Sequence, residues 1–201
     1  MVKIALLASG NGSNAEAIIK YFESNPNVEI ICFSDNEDAK ALKRAKNLET
    51  KAIYLPFEEN FEYFSKNPFD FYVLAGYMRI LPEKLIDLGT FINIHPSLLP
   101  AFKGKNAIKR AYEYGAKVTG VTIHHVEKEV DCGRIILQTP VSIDEGMNLA
   151  ELEARIHEVE HTVYPMVIDS LIYDRIVDIT PQKDCKSGGC GSGGCGGKCG
   201  H

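Results

Sequence analysis

The first residues constrain the fold more than any other stretch, because they combine a buried strand, a tight turn and a helix. Residues 2–8 form a continuous apolar run, which is typical of a strand covered on both faces in a parallel sheet. A glycine-rich turn follows, and Ser13 with Glu16 matches a capping box that predicts a helix beginning at Ser13. The free N–H groups of such a turn suit a phosphate, although many turns of this kind only redirect the chain.

The rest of the chain alternates strands with helices, which predicts an α/β fold with a doubly wound, mostly parallel sheet. Strands are predicted over residues 28–33, 52–55, 69–74 and 91–95, and an antiparallel hairpin is predicted over 118–126 and 134–143. Helices are predicted over residues 38–48, 57–64, 82–88, 106–114 and 149–171. Gly115 is expected to cap the helix before it, and Pro165 is expected to kink or divide the last helix.

Length and composition indicate one soluble domain of ordinary size, which we expect to cover residues 1–180. The 201 residues are 45% hydrophobic and 24% charged, and the net charge of −5 argues against a nucleic-acid surface or an anionic-membrane binder. Apolar runs are too short to span a membrane, and the chain enters its first strand without a signal-peptide pattern, so we expect a cytoplasmic protein. Nothing in the sequence selects an oligomeric state.

Two polar side chains end the predicted strand over residues 91–95. Residues 91–100 are Phe-Ile-Asn-Ile-His-Pro-Ser-Leu-Leu-Pro, so Asn93 and His95 point to the same strand face, near the strand end where α/β proteins bind ligands. An imidazole beside a carboxylate such as Asp131 can exchange a proton near neutral pH, and an amide can stabilise a developing oxyanion. Without an evident Ser or Cys nucleophile, this set favours direct acyl transfer to an amine. The alternative is a buried structural pair satisfied by backbone groups.

Glu160 lies on or beside the apolar stripe of the last predicted helix. It follows Ile156 by four residues and precedes Val163 by three. A carboxylate at such a position either occupies a pocket or reaches solvent from the edge of the stripe, and the pattern leaves both possibilities open.

Several segments resemble the 10-formyltetrahydrofolate-dependent formyltransferases. The similarity extends from about residue 2 to residue 172 and includes the turn at residues 10–14, the segment 93–100 and the Phe-Lys-Gly sequence at 102–104, in the order of the family. The segments are most similar to family members that formylate the amine of glycinamide ribonucleotide in purine biosynthesis. The resemblance therefore implies the formyltransferase fold, two small-molecule substrates, formyl folate as the co-substrate and a catalytic step that needs no metal.

The resemblance also implies roles for the matching residues. Asn93 would steady the formyl oxygen, His95 would act as general acid and Asp131 would support His95. Glu160 would contact the glycinamide amine, and Lys103 is expected near the phosphate. The positions matching the phosphate and ribose site are Gly12, Ser13 and Asn14. The positions matching the folate site are Met78, Arg79, Ile80, Leu81, Asn93, Val126 and Asp131.

Two positions depart from the family pattern, and two related activities are alternatives. Asn60 stands where the family often has an Arg that contacts folate, and Cys132 stands where a glycine usually follows Asp131. Cys132 either fills space or has a function. A formyltetrahydrofolate hydrolase usually has an extra N-terminal domain and a methionyl-tRNA formyltransferase an extra C-terminal domain, and we expect 201 residues to have room for neither.

Residues 181–201 differ from the rest of the chain because they are rich in Gly and Cys. This composition predicts a flexible tail. Its thiols and imidazole are candidate ligands for zinc, copper(I) or an iron–sulfur cluster, but the spacing is not that of a zinc ribbon. The candidates are Cys185, Cys190, Cys195, Cys199 and His201. The alternatives are a tail that binds no metal, or a metal-handling protein that acts through the tail.

Overall fold

A computed structural model of the protein describes residues 1–174. Its strands are β1 (Val2–Leu7), β2 (Val28–Ser34), β3 (Lys51–Tyr54), β4 (Phe71–Leu74), β5 (Thr90–His95), β6 (Val118–His125) and β7 (Ile135–Ser142). In the described part of the chain these strands form one sheet in the order β3-β2-β1-β4-β5-β6-β7. The strands β1 to β5 are parallel, whereas β6 and β7 are antiparallel to their neighbours. The predicted fold class is therefore confirmed.

The helices follow the predicted order. They are α1 (Ser13–Phe22), α2 (Lys40–Asn47), α3 (Asn60–Lys66), α4 (Glu83–Ile86), α5 (Ala107–Tyr114) and α6 (Leu149–Ile172). A short 3-10 turn over Phe57–Glu59 precedes α3. Gly115 ends α5 in the left-handed conformation, as predicted. None of the helices that the structure describes is long and apolar enough to cross a membrane.

One local expectation about helices is wrong, and of the two outcomes expected at Pro165, a kink or a division of the helix, the structure excludes the division. The capping box at Ser13 does not form, because Gly12 is the N-cap of α1 and the Glu16 side chain instead pairs with Lys20 and Arg44. Pro165 does not divide α6, which is continuous on both sides of it. The missing hydrogen bond of a single proline is offset where the helix is held by a buried face, and Pro165 lies on that face.

The apolar run of β1 is continuous because the strand is covered on both faces. Ile4 and Leu6 pack with buried residues of α1, α2 and α6, whereas Ala5 and Leu7 pack on the opposite face with residues of α3 and α4. A Tyr164 hydroxyl on α6 donates to the carbonyl oxygens of Leu74 in β4 (3.0 Å) and Ile92 in β5 (3.1 Å). These bonds fix α6 against the two central strands that lead into the polar residues described below.

Candidate active site

A cleft of about 920 Å³ opens at the carboxyl ends of the parallel strands. The described structure brings to its walls all but one of the residues that the sequence assigned to catalysis or to substrate binding, the exception being Lys103. These residues are Gly12, Ser13, Asn14, Met78, Arg79, Ile80, Leu81, Asn93, His95, Val126, Asp131 and Glu160.

His95 is buried at the end of β5 with an acceptor near each ring nitrogen. Its Nε2 lies 3.0 Å from the carbonyl oxygen of Phe102, and its Nδ1 lies 3.4 Å from Oδ2 of Asp131. A carbonyl can only accept a hydrogen bond, so Nε2 carries a proton. A carboxylate facing Nδ1 accommodates a second proton there. The surroundings of this ring therefore suit both the neutral and the protonated imidazole, as a general acid requires.

Asp131 is held in place by its own backbone conformation, by a hydrogen bond to its side chain and by the close packing of Gly133. Its φ of +54° lies in the left-handed region, which Asp tolerates better than most residues. Oδ2 accepts a hydrogen bond from the Gly104 N–H at 2.7 Å, and Oδ1 lies 3.7 Å from Nε2 of His124. Gly133 packs so tightly that a Cβ would lie 1.8 Å from the His125 carbonyl oxygen. The loop before β7 is thereby fastened to the end of β6.

His124 is a site residue that the sequence analysis did not identify. The register of β5 and β6 sets it opposite Asn93, and the Asn93 Nδ2 lies 3.3 Å from its Nε2. Nδ1 lies 2.8 Å from the carbonyl oxygen of His125, so Nδ1 carries the proton and Nε2 accepts from the amide. Burial lowers the pKa of His124, which favours this neutral form. One Asn93 N–H is thus used for orientation, and the other is left for a ligand oxygen.

The only signal for His124 in the sequence was its position on the same strand face as Thr122. That alternation does not reveal which residue of β5 lies opposite it. The pairing depends on the register of two strands that are separated by α5.

Glu160 lies in a pocket rather than at a solvent-facing edge of α6. Only 4% of the residue is exposed, and its Oε2 accepts a hydrogen bond of 3.0 Å from Asn14 Nδ2. Burial raises the pKa of this carboxyl, against the opposing effects of the Asn14 hydrogen bond and the charge of His157. Glu160 is therefore a buried acid beside the cleft, and its hydrogen bond with Asn14 links it to the glycine-rich turn at the start of α1.

The turn before α1 requires its glycine. Gly12 has a φ of +73°, and a Cβ there would lie 2.5 Å from the Cα of Ala41 in α2. Gly12, Ser13 and Asn14 line the cleft, and the first N–H groups of a helix have no partner within the helix.

The segment after β4 is anchored from behind by polar contacts. Asn60 is buried and donates a hydrogen bond of 2.8 Å to the Tyr77 hydroxyl, so its amide supports this segment instead of facing the cleft. Arg79 forms an ion pair of 2.5 Å with Asp35 at the end of β2. The guanidinium of Arg79 is therefore already paired within the protein.

Apolar side chains of the same segment are open to solvent. Met78 is 66% exposed and Ile80 is 72% exposed, although both line the cleft. The Met78 N–H donates to Ser9 Oγ at 3.0 Å, which fixes the backbone while the side chain stays available. Exposed apolar groups on an anchored backbone suit a flat apolar ligand.

Lys103 and Cys132 are not among the residues that line the cleft, and the expectation that Lys103 lies near the phosphate stays a prediction. The Lys103 Nζ lies 2.7 Å from the Cys132 Sγ. Cys132 is partly exposed, so it does not simply fill a buried space. The proposed metal ligands of the tail lie outside residues 1–174.

Comparisons with known proteins agree with this geometry. A phosphoribosylglycinamide formyltransferase from Bacillus subtilis is 40% identical over 191 residues, which cover 86% of this chain and 95% of that protein. One from Haemophilus influenzae is 41% identical over 182 residues, covering 84% and 86%. The crystal structure of the Streptococcus pneumoniae phosphoribosylglycinamide formyltransferase superposes with a TM-score of 0.78 at 38% identity, covering 86% of this chain and 99% of that one.

A family model described as formyl transferase matches residues 2–168. The matched region contains every strand that the structure describes and all the cleft residues named above. The chain therefore belongs to the formyl transferase family.

Proposed function

We propose that the protein transfers the formyl group of 10-formyltetrahydrofolate to the amine of glycinamide ribonucleotide in purine biosynthesis. The observation that carries this proposal is the presence of Asn93, His95 and Asp131 in the same cleft as Glu160 and the glycine turn. The names of the Bacillus and Haemophilus relatives support formyl transfer to the same acceptor.

The nucleotide would bind with its phosphate at the start of α1 and its amine at Glu160. Backbone N–H groups at a helix N-terminus suit a phosphate, and the Asn14 side chain links this turn to the carboxyl. In its carboxylate form Glu160 would pair with the substrate ammonium, and its raised pKa would make it a stronger acceptor for the proton that the amine must lose before it attacks.

The formyl donor would lie between the segment at residues 78–81 and the loop beginning at Val126. Exposed Met78 and Ile80 offer apolar contact, and the anchored backbone offers hydrogen bonds to a pterin edge. Asn60 and Arg79 are engaged with protein groups, so the glutamate end of folate would rely on other contacts.

The chemistry we propose is direct transfer. The amine nitrogen attacks the formyl carbon, and the carbonyl oxygen becomes negative and accepts the second N–H of Asn93. As the tetrahedral intermediate collapses, the bond to the folate nitrogen breaks, and His95 supplies the proton which that nitrogen needs. The attacking nitrogen, which carries an extra proton after the addition, releases it to solvent water and becomes the amide N–H. Asp131 stabilises the positive charge of the imidazole before the proton leaves. None of these steps uses a metal ion.

A spectrophotometric assay of folate product, with glycinamide ribonucleotide present or omitted, tests the activity. We expect product only when the nucleotide is present. Product that forms equally without it would establish the alternative, a formyltetrahydrofolate hydrolase. We also propose a cytoplasmic location.

A further inference from the structure

We propose that Lys103 and Cys132 form a clamp between two loops and are positioning residues for His95 and Asp131. The clamp is defined as the contact of 2.7 Å between the Lys103 Nζ and the Cys132 Sγ. The effect of the clamp on turnover rests on the proposed formyl transfer. The contacts of the clamp themselves can be tested without any substrate.

The clamp lies between two contacts that hold the catalytic side chains. The Phe102 carbonyl oxygen accepts from His95 at 3.0 Å, and the Gly104 N–H donates to Asp131 at 2.7 Å. Three consecutive residues of the first loop therefore contact His95, Cys132 and Asp131 in turn. Because Cys132 directly follows Asp131, the position of Lys103 relative to Cys132 sets the position of both flanking contacts.

The first loop needs such a contact because it belongs to no helix or strand. Phe102 and Gly104 both have positive φ, at +54° and +78°. On the other side, Arg110 of α5 donates to the Lys103 carbonyl oxygen at 2.6 Å, and its guanidinium lies 5.9 Å from the centre of the Phe102 ring. Arg110 thus fastens the loop to α5, and Cys132, beside the Gly104–Asp131 hydrogen bond, fastens it to the loop carrying Asp131.

Charge supports the same arrangement. Contact with the Cys132 sulfur raises the pKa of Lys103, and the nearby Asp131 carboxylate acts in the same direction. The ammonium therefore keeps its positive charge beside the negative Asp131. Neither Lys103 nor Cys132 lines the cleft, so any effect on the reaction must pass through His95 and Asp131.

The kinetic test compares Lys103→Met and Cys132→Ala with the parent. We expect each variant to lower kcat by about tenfold or more, since misplacement of catalytic groups by about 1 Å costs up to about 100-fold, while KM for both substrates changes less than twofold. The conservative variants Lys103→Arg and Cys132→Ser should recover most of kcat. The double variant Lys103→Met/Cys132→Ala should be no slower than the slower single variant, because both remove the same contact.

Lys117→Met is the matched control, because it removes an exposed lysine away from the cleft and should leave kcat unchanged. A kcat within twofold of the parent in both Lys103→Met and Cys132→Ala would overturn the clamp. The clamp would also be overturned if the kcat of the double variant fell by the product of the two factors by which the single variants lower kcat.

A structural test separates failure of the clamp from failure of the proposed function. The ring-nitrogen resonances of His95 are recorded by NMR in the parent and in Cys132→Ala, with no substrate added. We expect them to shift, because the contacts to Phe102 and Asp131 lengthen. His95 resonances that are the same in Cys132→Ala and in the parent would refute the clamp. If they differ between the two proteins but the parent shows no transfer activity, only the formyl transfer is refuted.

Discussion

Single residues divide the proposed chemistry between an amide, an imidazole and two carboxyls. Asn93 and His95 were identifiable from the sequence because strand alternation puts both on one face. His124, which orients the Asn93 amide, was not identifiable because strand register is a long-range property. Contacts of Lys103, Cys132 and other loop residues depend on backbone dihedrals that residue type alone does not set.

Replacing either member of the His95–Asp131 pair should remove proton transfer while the nucleotide still binds. We expect His95→Ala and Asp131→Ala each to lower kcat by about 100-fold to 10,000-fold, with a small change in KM for the nucleotide. Steady-state kinetics measures the effect, and circular dichroism checks the fold. Near-normal turnover in either variant would show that the assigned role is wrong.

Glu160→Gln should lower kcat/KM for the nucleotide while it raises the free energy of unfolding at high pH. Burial raises the Glu160 pKa above its ordinary 4.5, so the folded state binds this proton more tightly than the unfolded chain does. The stabilisation from the protonated acid is complete below pH 4.5 and is lost as the pH rises through the raised pKa. Gln cannot ionise, so the variant should gain stability relative to the parent as the pH increases.

Urea unfolding at pH 5 and pH 8 measures that difference in the free energy of unfolding, and kcat/KM for the nucleotide is measured beside it. We expect kcat/KM to fall sharply. A difference in stability that does not change with pH would contradict the buried, raised-pKa carboxyl.

At the scale of elements, the apolar patterns predicted the strands and helices to within a few residues at each end. The buried runs of a parallel sheet are long enough to identify without further information, as in β1 and α6. The start of α1 was predicted correctly for a wrong reason, since Gly12 caps it and Arg44 takes the Glu16 side chain. The Glu16 side chain pairs with Arg44 of α2 instead of capping its own helix, and local sequence rules do not include contacts with another helix.

The loop between β6 and β7 should depend on Gly133. A Cβ in Gly133→Ala would overlap the His125 carbonyl oxygen, so the loop must move and carry Asp131 with it. We expect both a lower Tm and a lower kcat. Gly115→Ala is the control: its left-handed φ of +78° costs about 1–2 kcal/mol of stability, but it caps α5 and should leave kcat unchanged. A Gly133→Ala variant with normal kcat would contradict the proposed role of this loop.

At the scale of the whole molecule, the formyl transferase region holds every residue within 1–174 that lines the cleft. Deleting residues 181–201 should therefore leave kcat and KM unchanged, and it should remove any metal that co-purifies with the full chain under reducing, anaerobic conditions. Kinetics and elemental analysis of both forms test this. Loss of transfer on truncation would show that the tail contributes to the reaction, and metal retained by the truncated form would place the metal elsewhere.

The central claim is that a carbon–nitrogen bond forms between the donor's formyl carbon and the nucleotide amine. The most direct measurement uses a donor labelled with ¹³C in the formyl group and glycinamide ribonucleotide labelled with ¹⁵N at the amine, followed by NMR of the products. We expect one product whose ¹³C and ¹⁵N are coupled through one bond. We expect His95→Ala to form no such product on the same timescale. Release of the ¹³C as formate, with no coupled product, would contradict the central claim.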